Sequence, residues 1–179
     1  MVSLTSPDTG NLYVGKGICS FLKTDTGTEA RDLGNVPECE LNLEIETLDH
    51  FTSRAGIRSK DLIVVIQRSG TIRWVMEEWT PENLALWFMG NVDLDDPSGP
   101  SIDILDEDAV TGKFYFHGTN QVGPRYDVIA YNVRIRPTSS INLINEDDFG
   151  GVEVTGEMLF SETEQSFGKV TLTNLDSDT

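Results

Sequence analysis

His50 and His117 are the only two histidines in the chain, and neither has the spacing of a metal or proton-transfer site. They lie far apart, and no His-Glu-x-x-His run sets two imidazoles on one helix face. His50 falls in a long loop and His117 ends a strand before Gly118, so each reads as a surface or packing residue. Glu77 and Glu78 are adjacent in a segment read as strand. Alternation sends them to opposite faces, which argues against a paired-carboxylate glycosidase site. Neither a Gly-x-Ser-x-Gly elbow nor a Gly-x-x-x-x-Gly-Lys-Ser/Thr phosphate loop occurs. The reading is a protein that is not an enzyme, with no catalytic residue and no cofactor.

Cation chemistry has one candidate. Asn91 to Asp108 carries Asp93, Asp95, Asp96, Asp103, Asp106, Glu107 and Asp108. A calcium loop of the helix-loop-helix kind needs acids at alternate positions, Gly at position 6 and Glu at position 12. Counted from Asp93, Pro97, Ser98 and Ile104 stand at positions 5, 6 and 12, so the motif fails. An irregular calcium site stays open, because clustered carboxylates attract hard cations; no metal ligands are assigned. Cys19 and Cys39 are the two cysteines. Both fall on apolar faces of strand-like segments. They read as buried free thiols in a reducing compartment, with a disulfide as the open alternative.

The strongest pattern is Glu38-Cys39-Glu40-Leu41-Asn42-Leu43-Glu44-Ile45-Glu46. Successive side chains of a strand point to opposite faces. Cys39, Leu41, Leu43 and Ile45 share one face; Glu38, Glu40, Asn42, Glu44 and Glu46 share the other. No Lys or Arg relieves the acids within this run. The whole chain holds 30 acids against 13 bases, a net charge of −17. That is the wrong sign for a tight nucleic-acid binder. A wall of like charge raises self-repulsion, which suggests a use. The use favoured here is lining a passage through which a polyanion slides without sticking.

The length suits a single domain, residues 1–179, with a substantial core. No stretch approaches the roughly 20 apolar residues of a membrane-spanning helix. Met1 to Gly10 is polar and lacks a signal-peptide pattern. Strand patterns dominate and predict a mainly β fold. The candidates are Ile18 to Lys23, Glu38 to Leu48, Asp61 to Arg68, Thr71 to Trp79, Lys113 to His117, Tyr126 to Arg136, Val152 to Phe160 and Lys169 to Asn174. Leu62 to Ile66 is a β-branched run typical of a buried strand, and Ser69-Gly70 marks a turn after it. One short helix is predicted over Thr80 to Met89. Thr80 is its N-cap, Pro81 its first position, Glu82 its first-turn acid and Gly90 its stop. Leu84, Trp87 and Phe88 recur at helical spacing and are expected to pack it on the sheet. Thr47 to Lys60 is too long for a simple hairpin connection. It opens the main basic region of Arg54, Arg58, Lys60, Arg68 and Arg73, with Leu48, Phe51 and Ile57 as apolar members. It can reach an acidic neighbour, or it can be a solvated flexible loop.

Three stretches resemble phage tail tube proteins. They are Gly34 to Glu38 with the acidic strand that follows, Glu46 to Gly56, and Met76 to Leu86, where a strand passes into the helix. The similarity is clearest from about residue 11 to residue 90. The resemblance implies two packed antiparallel sheets forming a sandwich or barrel, flanked by one short α-helix, with a long stacking loop. It implies six subunits joined into a ring with a continuous inner β-surface, and rings stacked into a hollow tube, as in the related type VI secretion tube protein. Glu38, Glu40, Glu44 and Glu46 would then line the lumen. Leu48, Phe51, Arg54, Ile57, Arg58 and Lys60 would belong to the loop that bridges stacked rings. Implied partners are further copies of the chain, tail terminator, baseplate or tail-tip proteins, and a sheath as a further candidate. Phage DNA would pass through without specific binding and without membrane insertion. The implied location is the virion tail, assembled in the host bacterial cytoplasm. The competing reading is a monomeric β-sandwich binding module on a virion or cell surface, with calcium dependence as one version of it.

Overall fold

The computed structural model describes residues 11–24, 28–54, 56–136, 140–144, 146 and 149–173. Met1 to Gly10, Ala55 and Asn174, which figure above, lie outside the described residues. The described strands are β1 (Gly17–Lys23), β2 (Arg31–Asp32), β3 (Glu38–Thr52), β4 (Ser59–Met76), β5 (Val92–Asp93), β6 (Ser101–Ile102), β7 (Thr111–Gly118), β8 (Arg125–Arg136), β9 (Val152–Met158) and β10 (Gly168–Thr173). One helix, α1 (Pro81–Phe88), follows β4.

The fold is mainly β, as the strand patterns predict. One large antiparallel sheet runs β2-β1-β7-β8-β9-β4-β3, and β5 pairs with β6 in a second, small sheet. β8 divides one of its edges: its first half, Arg125–Ala130, holds β10, and its second half, Val133–Arg136, holds β9. The facing layers come from this large sheet curling over itself. Trp74 on β4 packs against Phe21 on β1 and Phe114 on β7, with ring centroids 6.2 and 4.9 Å away. Those strands stand several places apart in the sheet, so only curvature brings their faces together. Ile72, Met76, Val133, Ile135, Val152 and Val154 complete the core and are all buried. Gly156 makes room for it: a Cβ there would come 2.2 Å from Val133 Cγ1 and 3.6 Å from the Trp74 ring.

α1 starts as its sequence predicts. Thr80 Oγ1 accepts from the Asn83 backbone N–H at 3.2 Å, and Pro81 occupies the first position. Its end differs. Met89, not Gly90, adopts the left-handed conformation, at φ 51°. Gly90 serves close approach instead, since a Cβ there would lie 1.9 Å from the Asp103 carbonyl oxygen. The packing face also differs. Ala85 and Leu86 are the buried apolar positions, while Leu84, Trp87 and Phe88 are half-buried. Leu84 and Trp87 touch the core from its margin, and Phe88 packs edge-on against Trp87 at 5.1 Å. Asn83, passed over in the sequence, ties the helix down. Its side-chain N–H groups donate to the carbonyls of Leu33 and Glu78, and its Oδ1 accepts from Arg31.

Two expected segments merge. Asp61 to Arg68 and Thr71 to Trp79 were expected as separate arms around a turn at Ser69-Gly70. They form one strand of 18 residues, β4, that ends at Met76. Gly70 is extended there and pairs with both Leu43 and Met158, which leaves no turn.

Trp74→Ala removes a fully buried indole and is expected to cost about 3–5 kcal/mol of unfolding free energy. Trp87→Ala, at a half-buried ring, costs clearly less. Urea denaturation of the two variants beside the parent chain measures both.

Candidate functional site

β9 pairs with β4 only along Gly70–Met76. From Ser59 to Ser69, β4 has β3 as its one sheet neighbour among the described residues, and β3 has no neighbour on its other side. The two strands therefore leave the body as a ribbon. Eleven residues at strand rise give about 35 Å of projection. Two-stranded ribbons are marginal in water by themselves, and open strand edges invite pairing with another chain. This one also carries bare apolar side chains. Leu43, Ile45 and Leu48 on β3 are 71, 62 and 61% exposed, and every residue from Leu62 to Ile66 on β4 is at least 45% exposed. The β-branched run expected to be a buried strand is thus uncovered in the single subunit.

The two faces of β3 match the alternation. Register pairs Glu40 with Arg73, Asn42 with Thr71, Glu44 with Ser69 and Glu46 with Gln67 on the acidic face. On the other face Leu41, Leu43 and Ile45 line an apolar groove toward Val128 of β8, Val170 of β10 and Phe167. The acidic wall is not uniform, which corrects the expectation of unrelieved charge. Arg73 bonds Glu38 at 2.9 Å and Glu153 of β9 at 2.6 Å, and reaches Glu40 at 3.7 Å. Hydrogen bonds to Glu153 and then Glu38 hold its guanidinium even more firmly charged than usual. Glu44 and Glu46 have no ion-pair partner among the described residues, so the net negative part of the wall lies on the projecting half.

The stacking loop is shorter than expected. Leu48 and Phe51 belong to β3, and Lys60 to β4; only residues 53–58 connect the strands. The ladder continues because two bulges absorb the mismatch: Ile66 and Asp61 are the extra residues, skipped between the pairs Glu46–Gln67 and Thr47–Val65, and His50–Leu62 and Phe51–Lys60. Some of the intended contact groups are engaged within the chain. Lys60 pairs with Asp49 at 2.6 Å, and the Arg58 guanidinium lies 4.3 Å over the Phe51 ring. His50 bonds Asp61 at 2.6 Å. Arg54 and Ile57 are exposed, Ile57 at 89%.

Residues 10–99, half of the chain, match the family described as protein of unknown function UCP028589. The chain belongs to that family. No curated protein matches the sequence. The matched span holds β1 to β5 and α1, so the ribbon, its root and the helix that follows β4 all fall within the family's segment.

Several other chemistry-bearing groups have local partners. Glu77 and Glu78 follow β4 rather than lying in it, and both turn toward Asn35: Glu78 accepts its backbone N–H at 3.0 Å, and Glu77 accepts from its side-chain amide. Their expected divergence therefore does not occur. In the acidic loop, Asp93 and Asp96 accept backbone N–H groups of Asp95 and Ser98 at 2.9 and 2.8 Å. The Ser98 contact, with help from Ser101, holds the Asp96 carboxyl below its ordinary range. Among the described residues, no three His, Cys, Asp or Glu side chains are grouped to hold a metal ion. No helix among them is long and apolar enough to cross a membrane.

Arg73, read from the sequence as part of the basic region that Thr47 to Lys60 opens, stands instead on the acidic face. The expected turn at Ser69-Gly70 hid this, because only a β4 continuous through Gly70 sets Arg73 opposite Glu40. Arg73→Ala leaves three carboxylates facing one another and is expected to lower stability by about 1 kcal/mol in low salt. The loss shrinks in about 1 M salt, where exposed charges are screened. Thermal unfolding at the two salt concentrations measures it.

Proposed function

We propose that the protein is a structural subunit of a phage tail tube, working through shape and charge rather than catalysis. The observation that carries the reading is the β3–β4 ribbon: about 35 Å of paired strand with two free edges, bare apolar side chains and an acidic face. The free edges belong to different strands. Joining β3 of one copy to the outer half of β4 in the next is a head-to-tail contact, which closes into a ring or continues as a filament. Such pairing gives each ribbon the extra strands that it lacks and sets the apolar face bearing Leu43 and Ile45 against the neighbouring copy. Six copies per ring follow from the resemblance to tail tube proteins.

In such a ring the face bearing Glu44 and Glu46 lines the lumen. DNA phosphates meet like charge and find few cations to exchange for their counterions, so the genome passes without being held. The tip, with Arg54 and Ile57 exposed, is the part placed to meet the next ring. Further tail proteins would cap the tube at each end, and the assembly belongs to the virion.

Negative-stain electron microscopy and sedimentation of the purified chain test this reading. Rings or tubes are expected; a protein that stays monomeric with every initiating tail component present would refute it. Leu43→Asp with Ile45→Asp should abolish assembly, while the monomer's unfolding free energy shifts by no more than about 0.5 kcal/mol per exposed site. Glu44→Lys with Glu46→Lys should still assemble, but its tubes should retain double-stranded DNA in co-sedimentation and release it as salt rises. Tubes of this variant that retain no more DNA than the parent would refute the repulsive-lumen account.

A further inference from the structure

Cys19 and Cys39 stand 20 residues apart on β1 and β3, one strand in from one end of the large sheet and at its other end. The curl of the sheet brings them together. Cys39 faces Trp74 in register, and such same-face cross-strand neighbours sit about 5 Å apart. Phe21, two residues from Cys19 on the same face of β1, packs on that Trp74 ring at 6.2 Å. Both cysteines thus converge on Trp74, near enough for each thiol to shift the ionisation of the other. Their surroundings differ. Cys19 is 2% exposed, whereas Cys39 is an exposed residue on a strand with an open edge.

We propose that Cys19 and Cys39 are a redox pair, closed to a disulfide by a small-molecule disulfide such as oxidised glutathione, which locks the root of β3 onto β1. The order of events follows from their environments. Cys39 is the member that a small disulfide can reach, and the neighbouring Cys19 thiol favours its thiolate, while that same neighbour and burial push the Cys19 thiol up. Thiolates, not thiols, attack disulfides. Cys39 therefore attacks first: its sulfur bonds one glutathione sulfur, and the other glutathione leaves as a thiolate. That thiolate takes the Cys19 proton. Cys19 then attacks the Cys39 sulfur, and the second glutathione leaves and is protonated from solvent. Two protein thiols and one glutathione disulfide become one protein disulfide and two glutathione thiols, so the protein loses two electrons and two protons in all.

The lock lies at the base of the ribbon and on the face opposite the acids, and it does not depend on tube assembly. It joins β1 to β3, strands that do not pair in the sheet. Cross-linking a loop of this length removes unfolded-state entropy.

The test uses the full chain as a free subunit, incubated with oxidised glutathione and then labelled with maleimide in denaturant. Two labels are expected before oxidation and none after it, with the oxidised protein running as a monomer on a non-reducing gel. The oxidised form should melt about 6–12 °C higher, and dithiothreitol should reverse the gain. Cys19→Ala should stop at glutathione bound to Cys39, and Cys39→Ala should leave Cys19 unmodified in the native protein. Disulfide-linked dimers, a persistent glutathione adduct on the parent chain, or an unchanged melting temperature after oxidation would each overturn the proposal. Modification of Cys19 in Cys39→Ala at the parent rate would overturn the order of attack.

Discussion

The closure of the large sheet around Trp74 is the contact on which the rest of the structure depends. Trp74 is fully buried, and it draws β4 against β1 and β7, strands that never pair with it. Gly156 is small because Val133, packed in the same core, takes the space a Cβ would need. The indole N–H has no acceptor among the described residues, a cost that apolar packing on several sides must offset. The same closure brings the two cysteines toward the Trp74 ring from β1 and β3 and holds the root of β3 in place.

β4 therefore has two regimes along one continuous strand. Its C-terminal half is clamped between β3 and β9 over the core; its N-terminal half has only β3 beside it. The first half supplies the rigidity that the second lacks. A ribbon so rooted keeps its direction while its edges and apolar faces stay available, which is what an assembling element needs and what an isolated monomer would avoid. The bulges at Ile66 and Asp61 increase local twist, so the outer ribbon need not continue the plane of its root.

Charge follows the same division. At the root, Arg73 gathers Glu38, Glu40 and Glu153 into one network, which limits repulsion where strands must pack. Farther out, Glu44 and Glu46 have no such partner. The acids of β3 are thus balanced where strands pack and left without ion-pair partners, among the described residues, on the projecting face.

Much of the fold was legible locally. The alternation from Glu38 to Glu46 set the two faces of β3, and Thr80-Pro81-Glu82 set the start of α1, because backbone geometry over a few residues decides both. The exposed state of Leu62 to Ile66 was not legible. A β-branched run reads the same whether its cover is its own core or another chain. Nor could local pattern foresee that β4 would run straight through Gly70, since pairing with β3 and β9 overrides the turn preference of Ser69-Gly70. The tie from Arg73 to Glu153 joins residues 80 apart, and the meeting of Cys19 with Cys39 needs the whole sheet to curl. Sequence by itself determined which side chains share a strand face; tertiary structure alone decided what each face meets, because that depends on strands brought together from distant parts of the chain.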